Sequence, residues 1–332
     1  MKAAVYNNYG GPEVVSIGEM PIPVIGDTDI LVKVRSSAIS TADWRLRTSI
    51  FPGILWLPAR LMVGLFKPKN KILGTDFAGC VVDTGKSVAR FNVGDRVYGF
   101  CLQGGHAEYL AIDAGKAVSK VPQSLEYDMA AAVPFGALAA LVFLRDFAKV
   151  QAGQRILIVG ASGGVGVFAV QLARLMGVEV TGVCSADNLG LVRALGADHV
   201  IDYGREDFAS KTGAYDVILD TVGGTNFARC KGALTDMGVF VPLEFGLREI
   251  WQALVTSMRR GKRVIANVSG DSAEDLDYLS GLLERGDIRP VIDAVYPLQE
   301  ITQAHRRVET RHKTGAVVVS MSGQVALEVA VD

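Results

Sequence analysis

The stretch Arg155-Ile-Leu-Ile-Val-Gly-Ala-Ser-Gly-Gly-Val-Gly166, continued by Val167-Phe-Ala-Val-Gln-Leu-Ala-Arg-Leu-Met-Gly177, decides the fold. Four consecutive apolar residues, Ile156 to Val159, suit a strand buried on both faces of a parallel sheet. A glycine-rich turn follows. Val165, Phe168, Val170, Leu172, Leu175 and Met176 then make a largely apolar helix, with Gly177 where a left-handed C-cap sits. Strand, turn and helix predict the first half of a dinucleotide-binding unit. Its phosphate-facing residues are Gly160, Ala161, Ser162, Gly163, Gly164, Val165 and Gly166: small residues let the backbone approach a diphosphate, and the helix N-terminus offers it N–H groups and partial positive charge. The motif alone is weak, because Ala161 stands at its first position, with Gly163 and Gly166 at the other two. Its context strengthens it: a second apolar strand, Val178–Cys184, starts where the helix ends. That disfavours the competing reading, a glycine turn chosen only for close helix–sheet packing.

The 332 residues suffice for two domains with substantial cores, and a net charge of −1 points to neither a nucleic-acid partner nor an electrostatic membrane anchor. The sequence opens as a strand, without the sections of a signal peptide. Cys80, Cys101, Cys184 and Cys230 are scattered, so a disulfide framework is not expected and cytoplasmic residence is the default. The hydrophobic stretch 50–66 is too short, and too interrupted by Pro52, Pro58 and Arg60, to span a bilayer. Basic residues flank only its C-terminal end, which favours a lid over a substrate or a packed insertion above an amphipathic surface helix.

Residues 1–123 read as β-rich, with short apolar runs such as Ile30–Arg35, Ala78–Val82 and Arg96–Val97-Tyr98 between Gly, Pro and Asp turns, suggesting a compact barrel-like domain. Residues 126–149 are helical by period. The strand–helix alternation then continues through a helix at 186–195 and strands at His199–Tyr203, Asp216–Asp220, Val239–Leu243 and Arg263–Asn267. With the first two strands that makes six, the count of a doubly wound parallel sheet, so 124–290 forms the nucleotide-binding domain. A helix at 273–284 follows. The strand Ala316–Ser320 lies in a segment, 291–332, expected to return to the first domain. Ligands of such a sheet sit at the carboxyl ends of the strands, which brings in Thr221 and Val222 after the fourth and Leu243 to Gly246, with Phe245, after the fifth.

Several motifs carry a resemblance: Tyr9-Gly-Gly-Pro-Glu13, Gly74-Thr-Asp-Phe-Ala-Gly79, Phe91-Asn-Val-Gly-Asp-Arg-Val97, Gly104-Gly-His-Ala-Glu-Tyr109, Gly160–Gly166 and Leu195-Gly-Ala-Asp-His-Val-Ile-Asp-Tyr203. The chain resembles the medium-chain dehydrogenases/reductases, in particular their zinc-independent quinone oxidoreductase group, from the first strand to about residue 320. The resemblance implies an α/β architecture in which a GroES-like β-barrel catalytic domain is split around a Rossmann domain, with the active site in the cleft and a homodimer as the assembly. Substrate is not implied, since this fold hosts many. Ser40 stands where zinc-dependent relatives carry a cysteine ligand, and Thr75 where they carry a histidine. Neither is a zinc ligand, and no zinc is expected.

At the end of the second strand, where an acidic residue would bind the ribose hydroxyls, stand Cys184 and Ser185. Ser185 can hydrogen-bond a phosphate, and Tyr203 has the family's position beside the adenosine. This favours NADPH over NADH. Asp187 has the wrong charge for a phosphate, with Arg193 or Arg205 as candidates to compensate. Without zinc, a substrate carbonyl must be polarised by hydrogen bonds, which suits quinones, enones and 2-alkenals. Ser40 is the candidate donor. Asp43 would orient it, relay a proton, or only cap the helix expected from Trp44. Trp44, Phe51 and Trp56 are candidates for an apolar substrate wall. Ala139 replaces a threonine that commonly helps hold the cofactor in relatives. The expected protein is thus a zinc-independent, NADPH-dependent reductase of a small apolar quinone or α,β-unsaturated carbonyl. The alternatives are a zinc-free alcohol or aldehyde dehydrogenase and a non-catalytic NADPH-binding redox sensor.

Overall fold

A computed structural model describes residues 1–51 and 56–321; four residues of the hydrophobic stretch 50–66 and residues 322–332 of the C-terminal segment lie outside the described residues. The chain begins with an antiparallel ribbon of β1 (Lys2–Tyr6) and β2 (Val15–Glu19), followed by β3 (Asp29–Ile39), α1 (Thr41–Thr48), α2 (Trp56–Val63), β4 (Asp76–Thr84), β5 (Arg96–Phe100), β6 (Tyr109–Asp113) and β7 (Val118–Lys120). Two helices, α3 (Tyr127–Ala131) and α4 (Pro134–Val142), lead into β8 (Arg155–Val159), α5 (Gly166–Leu175), β9 (Glu179–Cys184), α6 (Leu189–Ala194) and β10 (His199–Asp202). Next come β11 (Tyr215–Asp220), α7 (Phe227–Cys230), β12 (Leu234–Pro242), α8 (Leu247–Ser257) and β13 (Arg263–Val264). The remainder is α9 (Ala273–Glu284), β14 (Ile292–Pro297), α10 (Ile301–Glu309) and β15 (Ala316–Ser320).

Six strands form a wholly parallel sheet in the order β10-β9-β8-β11-β12-β13. The order reverses on either side of β8, so loops leaving the carboxyl ends of β8 and β11 diverge and open a crevice between them. Ile156, Leu157 and Ile158 are wholly buried, as a central parallel strand requires. The second sheet runs β14-β15-β3-β4-β5-β7, and β6 pairs with residues 29–33 of β3 on the edge that β15 occupies further along. Here the chain crosses back: β15 pairs antiparallel with β3, from Val317 opposite Ile39 to Ser320 opposite Ser36. Just before it, the Gly315 N–H donates to the Ser162 carbonyl at 2.8 Å, which sets the C-terminal segment on the glycine turn.

Five elements differ from the sequence reading. The helix expected over 126–149 is broken before Pro134, which has no N–H to continue the ladder. Residues 186–188 form a separate 3₁₀ turn ahead of α6. β12 starts five residues earlier than expected, while β13 spans only two residues at the sheet edge. In the 50–66 stretch, Val63 is buried and Phe51 packs against the same cluster, whereas Trp56, Leu57, Leu61, Met62, Leu65 and Phe66 are all exposed, so the described part is packed only in part. All four cysteines are free, and no helix among the described residues is long and apolar enough to cross a membrane.

The glycine turn is fixed by backbone crowding. A Cβ at Gly166 would fall 2.1 Å from the Gly160 carbonyl oxygen and 2.8 Å from Ala161 backbone atoms, which have no soft side chain to yield. Gly166→Ala should therefore lower stability by about 1–3 kcal/mol in chemical denaturation. In α6, a Cβ at Gly190 meets nothing within 4 Å, so Gly190→Ala should be neutral or stabilising by up to about 1 kcal/mol. Equal effects at both positions would contradict the crowding argument.

Candidate active site

A cleft of about 780 Å³ runs over the carboxyl ends of β8 and β9, lined by Gly160, Ser162, Gly163, Ser185 and Tyr203 among others. It adjoins a pocket of about 120 Å³ at the seam between the two sheets, whose walls include Ser40, Asp76, Gly164, Val165 and Lys313. A third cavity of about 220 Å³ shares Thr41, Val165 and Thr221 with that pocket and is walled by Phe135, Phe143, Leu243 and Phe245. Thr221 is pinned through its hydroxyl, which donates to the carbonyls of Val159 (2.9 Å) and Gly160 (3.3 Å). The buried Asp220 carboxylate accepts from the N–H groups of Val222, Gly224 and Thr225, and these bonds build the turn that presents Thr221 and Val222. Ala161 and Gly166 line none of these cavities. Ala161 is wholly buried under the turn, and both are packing positions.

The turn is suited to an anion. Val165, the N-cap residue of α5, makes no side-chain capping bond, so the first-turn N–H groups gain no side-chain acceptor there. Lys313 lies over the same turn: its Nζ would be 3.0 Å from a Cβ at Gly164, and it donates to the Gly315 carbonyl at 2.5 Å. Burial pushes its pKa down to about 8, against the pull of Asp293 and Asp76. Further along the cleft, Asn188 Nδ2 donates to Ser162 Oγ (3.2 Å) and Ser185 Oγ (3.1 Å), and Thr314 Oγ1 donates to Asn188 Oδ1.

Neither suggested partner for a ribose phosphate lines the cleft. Arg205 is ion-paired with Asp202 at 3.5 Å with its side chain 83% exposed, and Arg193 lines a separate depression with Glu179 and His199. The basic groups that do line it are Arg229, Arg307, Arg311, His312 and Lys313, together with Asp187. Four of the five come from the run Arg306-Arg307-Val-Glu-Thr-Arg-His-Lys313. That density of charge was readable in the sequence, but its position over the glycine turn depends on β15 pairing with β3. Trp44, Phe51 and Trp56 line none of the three cavities; the aromatic walls are Phe135, Phe143 and Phe245. Glu244 bridges the two halves, 3.3 Å from Arg45 on α1 and 3.9 Å from Arg311.

The polar centre of the seam is a hydroxyl–carboxyl cluster. α1 begins at Thr41 rather than Trp44, so the N-cap is Ser40. Its Oγ accepts from the Ala42 and Asp43 N–H groups, while Asp43, at N3, accepts from the Ser40 N–H to close a capping box. Asp43 also accepts from Ser40 Oγ and Thr75 Oγ1, each at 3.0 Å, and from the Gly74 N–H. Asp76 escaped the sequence reading; its Oδ1 accepts from the Phe135 N–H at 2.6 Å, and its Oδ2 lies 3.1 Å from Thr75 Oγ1. Ser40 Oγ and Thr75 Oγ1 are 3.0 Å apart. These are four short O···O contacts, and the two hydroxyls carry two protons between them. A proton on Asp76 supplies a third. Burial raises the Asp76 carboxyl well above the ordinary carboxylate range, and the neighbouring Asp43 charge raises it further. Behind the cluster, His106 Nδ1 lies 2.7 Å from Ser37 Oγ and burial keeps its pKa low.

This donor set does not fit zinc. Ser40 and Thr75 occupy the ligand positions and are hydrogen-bonded to each other. Among the described residues, no three His, Cys, Asp or Glu side chains come together to hold a metal ion.

The model of the alcohol dehydrogenase GroES-like domain matches residues 26–123, and that of the zinc-binding dehydrogenases matches residues 195–319. The chain is 30% identical over 334 residues to the chloroplast envelope quinone oxidoreductase homolog of Arabidopsis thaliana, covering 96% of this chain and 98% of that protein. It is also 30% identical over 333 residues to the chloroplastic NADPH-dependent alkenal/one oxidoreductase of the same plant, covering 96% and 79%. The solved quinone oxidoreductase of Coxiella burnetii superposes with a TM-score of 0.86 at 28% identity, covering 97% of this chain and 99% of that one. Matches to both parts of the chain, relatives aligned over nearly its whole length and a shared fold make this chain a member of the medium-chain dehydrogenase/reductase superfamily, in its quinone oxidoreductase-like branch.

Proposed function

We propose that the protein is an NADPH-dependent reductase that transfers hydride to quinones or α,β-unsaturated carbonyls without zinc. The observation that carries this reading is the continuity of the glycine-turn cleft with a pocket whose wall includes the Ser40 hydroxyl and the Asp76 carboxyl, two groups of one hydrogen-bonded cluster. When bound, the reduced nicotinamide supplies the hydride for an electrophilic carbon. Gly160, Ser162, Gly163, Gly164 and the first turn of α5 would hold the diphosphate, with the Lys313 ammonium beside it. Ser185, Tyr203 and the basic groups of the C-terminal segment would hold the adenosine end, and the uncharged Ser185 at the end of β9, where an acidic residue would repel a 2′-phosphate, supports NADPH. Thr221, Val222, Leu243 and Phe245 would face the nicotinamide and substrate.

The chemistry left to the side chains is proton supply. Charge that develops on the substrate oxygen needs a donor, and Ser40 Oγ is the hydroxyl at the pocket wall that is linked to the Thr75–Asp76 cluster, whereas the Thr221 hydroxyl is taken by backbone carbonyls. Its proton can be replaced along Asp76 Oδ2, Thr75 Oγ1 and Ser40 Oγ, with contacts of 3.1 and 3.0 Å. Asp43 holds Ser40 in place through the capping box and is a positioning residue. Homodimerisation belongs to the same reading: α8 exposes Leu247, Trp251, Leu254 and Met258 beside the two-residue edge strand β13. Residence in the cytoplasm is supported by the four free cysteines.

The direct test is an anaerobic assay with quinones, enones, 2-alkenals and unconjugated ketones. Conjugated acceptors should accelerate NADPH oxidation, each in preference to its saturated counterpart; an unconjugated ketone turning over fastest would overturn the reading. Asp76→Asn keeps both hydrogen bonds but carries no titratable proton, so kcat should fall about a hundredfold with the KM for NADPH unchanged. Turnover within threefold of the parent would remove Asp76 from the proton path. The same variant tests the carboxyl's environment. A carboxyl whose folded pKa is raised contributes stability that is full below about pH 4 and is lost as pH rises toward the folded value. The melting-temperature difference between variant and parent should therefore grow in the variant's favour from about pH 4 upward. A constant difference would show that burial does not perturb this group.

A further inference from the structure

Helix α2 is amphipathic in the inverted sense. Leu57, Pro58, Leu61 and Met62 recur at one-, three- and four-residue steps, which places them on one face of α2, and Leu65 and Phe66 follow just beyond Gly64, where the helix has ended; all six are exposed, Phe66 86% accessible. The polar member turns inward: the Arg60 guanidinium lies 4.4 Å from the Tyr9 ring centroid and 5.5 Å from that of Trp56. Ordinary surface helices do the reverse. The face is tied to the body by the Tyr9 hydroxyl, which donates to the Gly64 carbonyl at 2.7 Å, and by the buried Val63 and Pro68. No residue from 56 to 71 lines the cleft or either adjoining cavity.

The charge around the face has one sign. Between Asp43 and Asp76 the sequence contains no acidic residue and six basic ones. Arg45 and Arg47 are spent on Glu244 and Glu309. Lys67, Lys69 and Lys71, directly after the apolar face, are exposed, and none of them enters an ion pair among the described residues. An apolar stripe with an interfacial tryptophan and a cluster of lysines at one end is the chemistry that seats a helix in the plane of an anionic bilayer. A net charge of −1 hides this, because the positive charge is local.

We propose that residues 56–71 form a peripheral membrane-docking surface for anionic lipid headgroups, with the apolar face of α2 entering the acyl boundary and Lys67, Lys69 and Lys71 on the phosphates. This goes beyond the reductase reading and does not depend on it. The test is sedimentation of the full chain with vesicles of phosphatidylcholine alone or with about one-third phosphatidylserine. The protein should partition onto the anionic vesicles at least about tenfold more than onto the neutral ones, and added salt should weaken that binding. Leu61→Glu with Phe66→Glu, both outward-facing, should reduce partitioning about tenfold while leaving turnover of a water-soluble quinone and the melting temperature unchanged. Replacement of the three lysines by glutamine should abolish the preference for anionic over neutral vesicles. Retention equal on both vesicle types, or undiminished in the double variant, would overturn the proposal. So would a double variant that merely converts a dimer to a monomer in light scattering with no change in lipid binding, since a second copy would then cover the face.

Discussion

The close approach of backbone to backbone at Gly160–Gly166 is the constraint from which the site follows. The turn leaves β8 with Gly160 at φ +80 and enters α5 with Gly166 against the Gly160 carbonyl. A Cβ at Gly136 would in turn lie 2.3 Å from the Gly164 carbonyl, so α4 also packs directly on the turn. Backbone crowding thus bars a Cβ at Gly166 and at Gly136, and a turn kept this small is what close approach of a diphosphate to backbone N–H groups requires. The buried strands behind it, Ile156 to Val159, keep the turn from relaxing.

A second dependence links the two sheets. Because β15 pairs with β3, the segment carrying Arg311, His312 and Lys313 is laid over the glycine turn, and residues 300 positions from the N-terminus become walls of the same cleft. The Glu244 bridge between Arg45 and Arg311 joins the halves again on the substrate side. These pairs are partly exposed, so their contribution is to register more than to stability. The pocket's chemistry is assembled at that junction. Ser40 lies between β3 and α1, Thr75 immediately precedes β4, Asp76 opens it, and Phe135 stands in the first turn of α4, so no single element contains the proton cluster.

The doubly wound sheet was legible because its signals are local: an apolar run, a glycine turn and a helix repeat along the chain, and Ala273–Glu284 and Ala316–Ser320 fall where periodicity put them. Where the reading slipped, tertiary context overrode period. Pro134 split a continuous Ala- and Leu-rich pattern, and β13 was cut to two residues at an edge with one neighbour. Ser40, with Thr75 beside it, was legible only through the resemblance to zinc-dependent relatives. Asp76 was missed because it belongs to Gly74-Thr-Asp-Phe-Ala-Gly79, which reads as a family signature, and nothing local announces that its carboxyl is buried against Thr75 and Phe135 N–H. The basic residues over the cleft were visible as a charge run, but a charge run carries no address. An exposed α2 is readable in the sequence as an amphipathic surface helix but ranks second there, because basic residues flank only the C-terminal end of 50–66.

The central claim is that a crevice between two sheets grips a dinucleotide at the turn through Ser162 and Gly163, with the Lys313 ammonium against its diphosphate. Titration calorimetry of the purified protein with NADPH, repeated from pH 6.5 to pH 9.5, tests this most directly. One site per chain is expected, with an affinity that weakens above about pH 8, as the Lys313 ammonium loses its proton. An absence of binding to NADPH and NADH alike, or an affinity indifferent to pH across that range, would contradict it.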